Sequence, residues 1–129
     1  MHDEIFWLAM SVGLSLVIWI PYTALYGGIV GFKRGTTMPP PHDQLPPWAQ
    51  RLHRSHVNLL ESLVPLVALV LMLKVTGKAD GATATAAMAF FFARVAHAIT
   101  YAMGVPWVRP VFFSLGWGVN LYLLWKVLT

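Results

Sequence analysis

The stretch RLHRSHVNLLESLVP, residues 51–65, opens with the polar residues of a water-facing helix and closes as a membrane span. Read as a helix, it places Arg51, Arg54, Asn58, Glu61 and Pro65 on one face, because these positions recur at spacings of three and four. Glu61 comes ten residues after Arg51, about 15 Å along the axis. Ionisable groups therefore run far into an apolar segment, and the rest of the chain has to explain why.

The chain has 129 residues, enough for one domain. Its apolar fraction of 57% exceeds the roughly 45–50% of soluble domains, and its charged fraction of 11% falls below their usual ~25%. That balance points to an all-α protein embedded in lipid. There is no cysteine, so disulfides are excluded and any thiol chemistry needs a thiol from the substrate. The net charge of +4 comes from nine basic residues scattered among apolar runs. These make no phosphate-tracking patch and give no reading as a nucleic-acid binder; basic loops flanking membrane spans account for the charge.

Four spans follow, at about residues 4–32, 49–75, 81–103 and 106–128. Residues 5–32 carry no Asp, Glu, Lys or Arg, which exceeds the roughly 20 residues that cross a bilayer. The acidic start MHDE and the length of the run argue against a cleaved signal. Residues 33–50 hold five of the nine prolines and read as a loop. The turns KVTGKADG and MGVP join the later spans, so neighbours are antiparallel and the chain reads as an up-down four-helix bundle. Lys33, Arg34, Arg51, Arg54 and Arg109 flank the first and third loops; Lys74, Lys78 and Lys126 lie on the other side. Five against three places the first and third loops in the cytoplasm.

The third span repeats the polar pattern, with Arg94, His97 and Tyr101 at i, i+3 and i+7. It runs back toward the same side, so the two stripes match in depth, and Arg109 begins the fourth helix there. A charge in mid-bilayer costs at least about 2.5–3.5 kcal/mol. A buried Glu61–Arg94 or Glu61–Arg54 pair would explain one such group structurally. It does not explain three arginines (Arg51, Arg54 and Arg94) against one carboxylate. The excess positive charge asks for an anionic ligand with more than one carboxylate or phosphate. Pro65 removes the amide that would bond the Glu61 carbonyl, which frees an acceptor; it also reads simply as a tolerated kink.

These residues bring a resemblance into view. Arg54, Asn58, Glu61 and Pro65 in RSHVNLLESLVP resemble the second-helix signature of the MAPEG family, the membrane-associated proteins of eicosanoid and glutathione metabolism. RVAHAITYAMGVPWVRP, with Arg94, His97, Tyr101 and Arg109, is similar to that family's third-helix and fourth-helix start, especially in the prostaglandin E synthase and microsomal glutathione transferase branch. The pair Lys33–Arg34 resembles a basic pair in leukotriene C4 synthase. The resemblance covers nearly the whole chain. It implies a homotrimer of four-helix bundles in the membrane, with glutathione as co-substrate bound between subunits near the cytoplasmic face. By the same resemblance Arg51, Arg54, His56, Asn58, Glu61, Arg94, His97 and Tyr101 would hold the tripeptide. Arg109 would face its sulfur, assisted by Tyr101, and Arg34 or Lys33 could line the site. Prostaglandin E synthases carry a serine directly after that arginine, where this chain has Pro110, which weighs against isomerase chemistry.

The implied activity is transfer of glutathione to a lipophilic electrophile, or reduction of a lipid hydroperoxide. The implied location is the inner or plasma membrane of a bacterium, or the endoplasmic reticulum of a eukaryote. The competing reading is a non-catalytic membrane protein that binds another anion or a lipid head group, or serves as an assembly module. No metal is expected, since the spacing of His53, His56 and His97 fits no common ligand pattern. Trp7, Trp19, Trp48, Trp107, Trp117, Trp125, Tyr22 and Tyr26 read mostly as an aromatic belt. Lys74, Lys78 and Lys126 read as snorkelling anchors, and the small-residue run GATATAAMA reads as a close-packed face, within the chain or between subunits.

Overall fold

A computed structural model describes residues 2–30 and 45–129; Lys33, Arg34 and His42 lie outside the described residues. Among the described residues there are four helices and no strand: α1 Glu4–Val30, α2 Pro47–Val75, α3 Gly81–Ala102 and α4 Val108–Leu128. All four are long and apolar enough to cross a membrane.

Local chemistry sets the helix ends. Pro47 opens α2 at the first helical position, where a missing N–H costs nothing. Gly77, at φ 69°, closes it, with its N–H bonded to the Lys74 carbonyl and the Lys78 N–H to that of Leu73. Gly104, at φ 77°, closes α3 with the same paired bonds, to Tyr101 and Thr100. Glycine suits both places because a side chain is strained at positive φ. Asp80 caps α3 reciprocally: its carboxylate accepts the Thr83 N–H at 2.9 Å, and the Thr83 hydroxyl accepts the Asp80 N–H at 2.8 Å.

On α2, Leu59, Leu63, Leu66, Val70 and Leu73 are all buried. Their three-and-four spacing makes one apolar stripe. It packs with Leu8, Ile18 and Tyr22 of α1, Phe90 of α3 and Leu123 of α4. Gly116 of α4 is buried against α3, where a Cβ would touch the Phe90 ring at 3.4 Å, an ordinary contact. α2 and α3 each pack against all other helices, and α1 and α4 flank that pair.

Side-chain bonds at the two bundle ends fix the alternating direction. At one end, Lys74 near the end of α2 pairs with Asp3 and Glu4 at the start of α1, both at 3.0 Å. Thr83 at the start of α3 donates to Glu4. Lys126 at the end of α4 pairs with Asp80 at 2.7 Å, and Lys78 donates to the Val127 carbonyl at 2.6 Å. These lysines are therefore bonded clamps between helix ends rather than anchors reaching for head groups. At the other end, Arg51 at the start of α2 donates twice to the Ala102 carbonyl that ends α3, at 3.0 and 3.1 Å.

Two further side-chain readings change, and a third is made more specific. Tyr22 and Tyr26 are buried, not part of a belt. Trp19 and Trp117 are exposed but stand mid-helix. Thr83, Ala84 and Ala87 of the small-residue run are buried within this chain, so part of that smoothness serves its own packing.

Candidate functional site

α2 is 29 residues long, about 43 Å at 1.5 Å per residue, and exceeds the ~30 Å hydrocarbon layer. Counting ~20 residues back from Val75 leaves Asn58 and Glu61 within the apolar layer, Arg54 at its boundary and Arg51 more than a turn outside it. The polar stripe of α2 lies one step round the helix from the buried leucines, and Arg54 and Glu61 are exposed on it.

The helices bring much of the expected site together at the arginine end of the bundle. Arg54 and Asn58 from α2, His97 and Tyr101 from α3, and Arg109 from α4 line one cleft of about 330 Å³. The Tyr101 ring lies 5.4 Å from that of His97, tilted 32°. The Arg109 guanidinium carbon lies 5.9 Å from the centre of the Tyr101 ring, within reach of a cation–π attraction. Asn58 and Glu61 line the adjoining space with Arg109, Pro110 and Phe113. From there a largely apolar groove between α2 and α4 continues past Pro65, Leu69, Trp117 and Leu121.

Not every residue of the two stripes faces this cleft. Arg51 caps α3. His56 turns away, and its Nδ1 lies 2.7 Å from the Tyr22 hydroxyl, buried between α1 and α2. Arg94 is only 1% exposed. It donates to Asn58 Oδ1 at 2.8 Å and to the Ser55 carbonyl at 3.3 Å. Arg94 thus meets the cleft through Asn58. Glu61 takes part in none of the ion pairs among the described residues, so neither expected Glu61–arginine pair forms within the chain.

Ser55 is the residue that the sequence reading passed over. It is buried, and its hydroxyl lies 2.8 Å from His97 Nδ1. A small hydroxyl three residues before Asn58 was the available hint; its partner is 42 residues away in sequence.

Among the described residues, four guanidiniums (Arg51, Arg54, Arg94 and Arg109) thus gather at this end against one carboxylate, Glu61. Such a cleft can hold a multiply charged anion through bidentate contacts, and Glu61 can take a cationic group.

The MAPEG family pattern matches residues 8–129. The chain belongs to the MAPEG family. Together with the four apolar helices, this makes it an integral, multi-pass membrane protein. Among curated proteins, this MAPEG chain is similar to microsomal glutathione S-transferase 1 from Sus scrofa, at 35% identity over 81 residues. The same protein from Homo sapiens and Bos taurus matches at 32% and 33%. Each match covers 61% of this chain and 52% of the relative, so the aligned chain spans about half the length of the curated relatives it matches. No solved structure matches it.

Proposed function

We propose that this MAPEG protein is a glutathione-dependent transferase or peroxidase, one domain per chain, assembled as a homotrimer. The observation that carries the reading is the uncompensated cleft: Arg54 and Arg109 line it with Asn58, His97 and Tyr101, and Glu61 pairs with neither arginine. Glutathione has the complementary groups. Its two carboxylates suit guanidiniums, its ammonium suits Glu61, and its thiol supplies the sulfur that a cysteine-free chain lacks. The name of the similar relatives supports the same ligand class.

An unperturbed thiol has a pKa near 8.5 and is mostly protonated at neutral pH. Arg109 stays charged, so it acts as a fixed positive charge that favours the thiolate and not as a base. Tyr101 donates a hydrogen bond to the sulfur. The thiolate attacks an electrophilic carbon and forms a C–S bond. The leaving group departs with its electron pair, or an adduct takes up a proton equivalent to the one the thiol released. With a hydroperoxide, two thiols are oxidised to one disulfide while the O–O bond is reduced to an alcohol and water. The lipophilic acceptor enters from the bilayer along the groove past Pro65, Leu69 and Trp117.

In this reading Arg54, Asn58, Glu61, His97 and Tyr101 contact the tripeptide, with Arg34 lining the site. Arg51 and Arg94 support it through the end of α3 and through Asn58. The exposed Arg54 and Glu61 on a membrane helix favour cover by a neighbouring copy, since open lipid would cost several kcal/mol. The arginine end faces the cytoplasm, by the five-to-three bias of basic residues.

The test is a titration with glutathione in detergent, following ultraviolet absorbance of the bound thiolate at neutral pH. A saturable signal that disappears in Arg109→Ala is expected. No signal together with no heat of binding would sink the glutathione reading, leaving another anion or assembly to explain the arginines.

A further inference from the structure

We infer that Ser55 is a positioning residue that sets the tautomer of His97 and, through its backbone carbonyl, helps hold Arg94 behind Asn58. The part of this inference that concerns ligand affinity rests on the proposal that the cleft binds glutathione.

Ser55, Arg94 and His97 are each 1% exposed. Every polar group there must find its partner inside the protein or in a bound ligand. Among the described residues the Ser55 hydroxyl makes one hydrogen bond, with His97 Nδ1 at 2.8 Å. Its proton therefore has one acceptor at hand, the Nδ1 lone pair. A hydroxyl that donates there fixes the imidazole as the Nε2–H form. Nε2 is buried and has no partner among the described residues. Since His97 lines the cleft, that N–H is a donor held ready for an acceptor on the ligand.

The other branch has the same logic. Arg94 donates to the Ser55 carbonyl and to Asn58 Oδ1. A guanidinium only donates, so it must be the amide oxygen of Asn58 that turns inward. The Asn58 NH₂ is left for the cleft. Ser55 thus stands behind both wall residues, and both present donors. A wall of donors selects carboxylate oxygens and disfavours cationic or donor groups.

The experiment uses the full-length protein in detergent, labelled with ¹⁵N-histidine. His97 is assigned by its loss in His97→Gln, and its tautomer is read from long-range ¹H–¹⁵N correlations. Wild type and Ser55→Thr, which keeps the hydroxyl, are expected to show the Nε2–H form. Ser55→Ala is expected to show a mixture of tautomers and a Kd for glutathione raised about tenfold, the effect of losing one well-placed charge-assisted bond. An Nδ1–H form in wild type overturns the inference, even where Ser55→Ala fails to fold. So does a Ser55→Ala protein with unchanged tautomer and affinity. If wild type binds no glutathione, the proposed function fails alone, and the tautomer measurement still decides the role of Ser55.

Discussion

Arg109 lies over the face of Tyr101, its guanidinium carbon 5.9 Å from the ring centre. The two come from different helices, and the contact bridges the turn between α3 and α4. It gives Arg109 an attraction to the protein that leaves its donors free for a ligand. Tyr101 in turn leans on His97, whose Nδ1 meets Ser55. The charge at the cleft mouth is therefore tied, ring by ring, to a buried hydroxyl on α2.

If Arg109 supplies the field that ionises the thiol, its removal raises the thiol pKa. A rise of one pKa unit lowers the thiolate fraction about tenfold at neutral pH. Arg109→Ala is expected to lose at least that much of the thiolate absorbance, with glutathione still bound through the remaining contacts. Arg109→Lys keeps a charge without the planar fork and should recover part of the signal. Equal thiolate signals in wild type and Arg109→Ala would remove Arg109 from this role.

Tyr101→Phe separates the ring from the hydroxyl. The ring still offers Arg109 its face, so the position of the arginine is kept. The hydroxyl's hydrogen bond to the sulfur is lost. The expected result is a kcat lower by about tenfold or more with KM for glutathione nearly unchanged, measured against a generic lipophilic electrophile. A rise in KM with kcat intact would instead place Tyr101 among the tripeptide contacts alone.

Much of this architecture could be read from the chain. Runs without charge marked the membrane helices, and the spacing of Arg54, Asn58 and Glu61 put them on one face. A helical wheel does not say what faces that face. Arg51 belongs to the same stripe by spacing, yet it reaches a carbonyl 51 residues away because α3 happens to end beside it. His56 lay near the stripe in sequence but turns to Tyr22. Ser55 carried no signal of its own, since a serine shows its role only when its partner is known. Lys74 and Lys126 read as snorkelling anchors because their carboxylates, Asp3, Glu4 and Asp80, lie far from them in sequence. Local period is written in sequence; pairing across helices is not.

Gly104 is held by two constraints at once. Its φ of 77° favours glycine, and a Cβ there would lie 3.2 Å from the Arg51 guanidinium carbon. Arg51 cannot simply yield, because it is bonded to the Ala102 carbonyl. Gly104→Ala is expected to destabilise by about 1–2 kcal/mol from the left-handed backbone alone. Thermal unfolding in detergent checks this. Gly104→Asn, which tolerates that conformation better, should lose less on the backbone side. An unchanged melting temperature for Gly104→Ala would mean that the turn relaxes freely.

Asp80 links stability to pH at the opposite end of the bundle. The bond from Lys126, followed by the Thr83 backbone N–H, holds its carboxyl below the ordinary value of 3.8. Asp3 is held low as well, first by the Phe6 backbone N–H and then by Lys74. For a depressed carboxylate, the unfolded chain binds more protons than the folded one in the window between the two pKa values. Its contribution is therefore fully present above the unfolded value and is lost as pH falls through the folded value. Below about pH 4 the wild-type melting temperature should fall with acidification. Asp80→Asn keeps a capping side chain but has no carboxylate to protonate. It should start lower at neutral pH, having lost the Lys126 pair, and decline less steeply in acid. Melting curves collected from neutral to acidic pH in one detergent decide the point. Parallel acid limbs for the two proteins would show that the Asp80–Lys126 pair contributes nothing to holding α3 and α4 together.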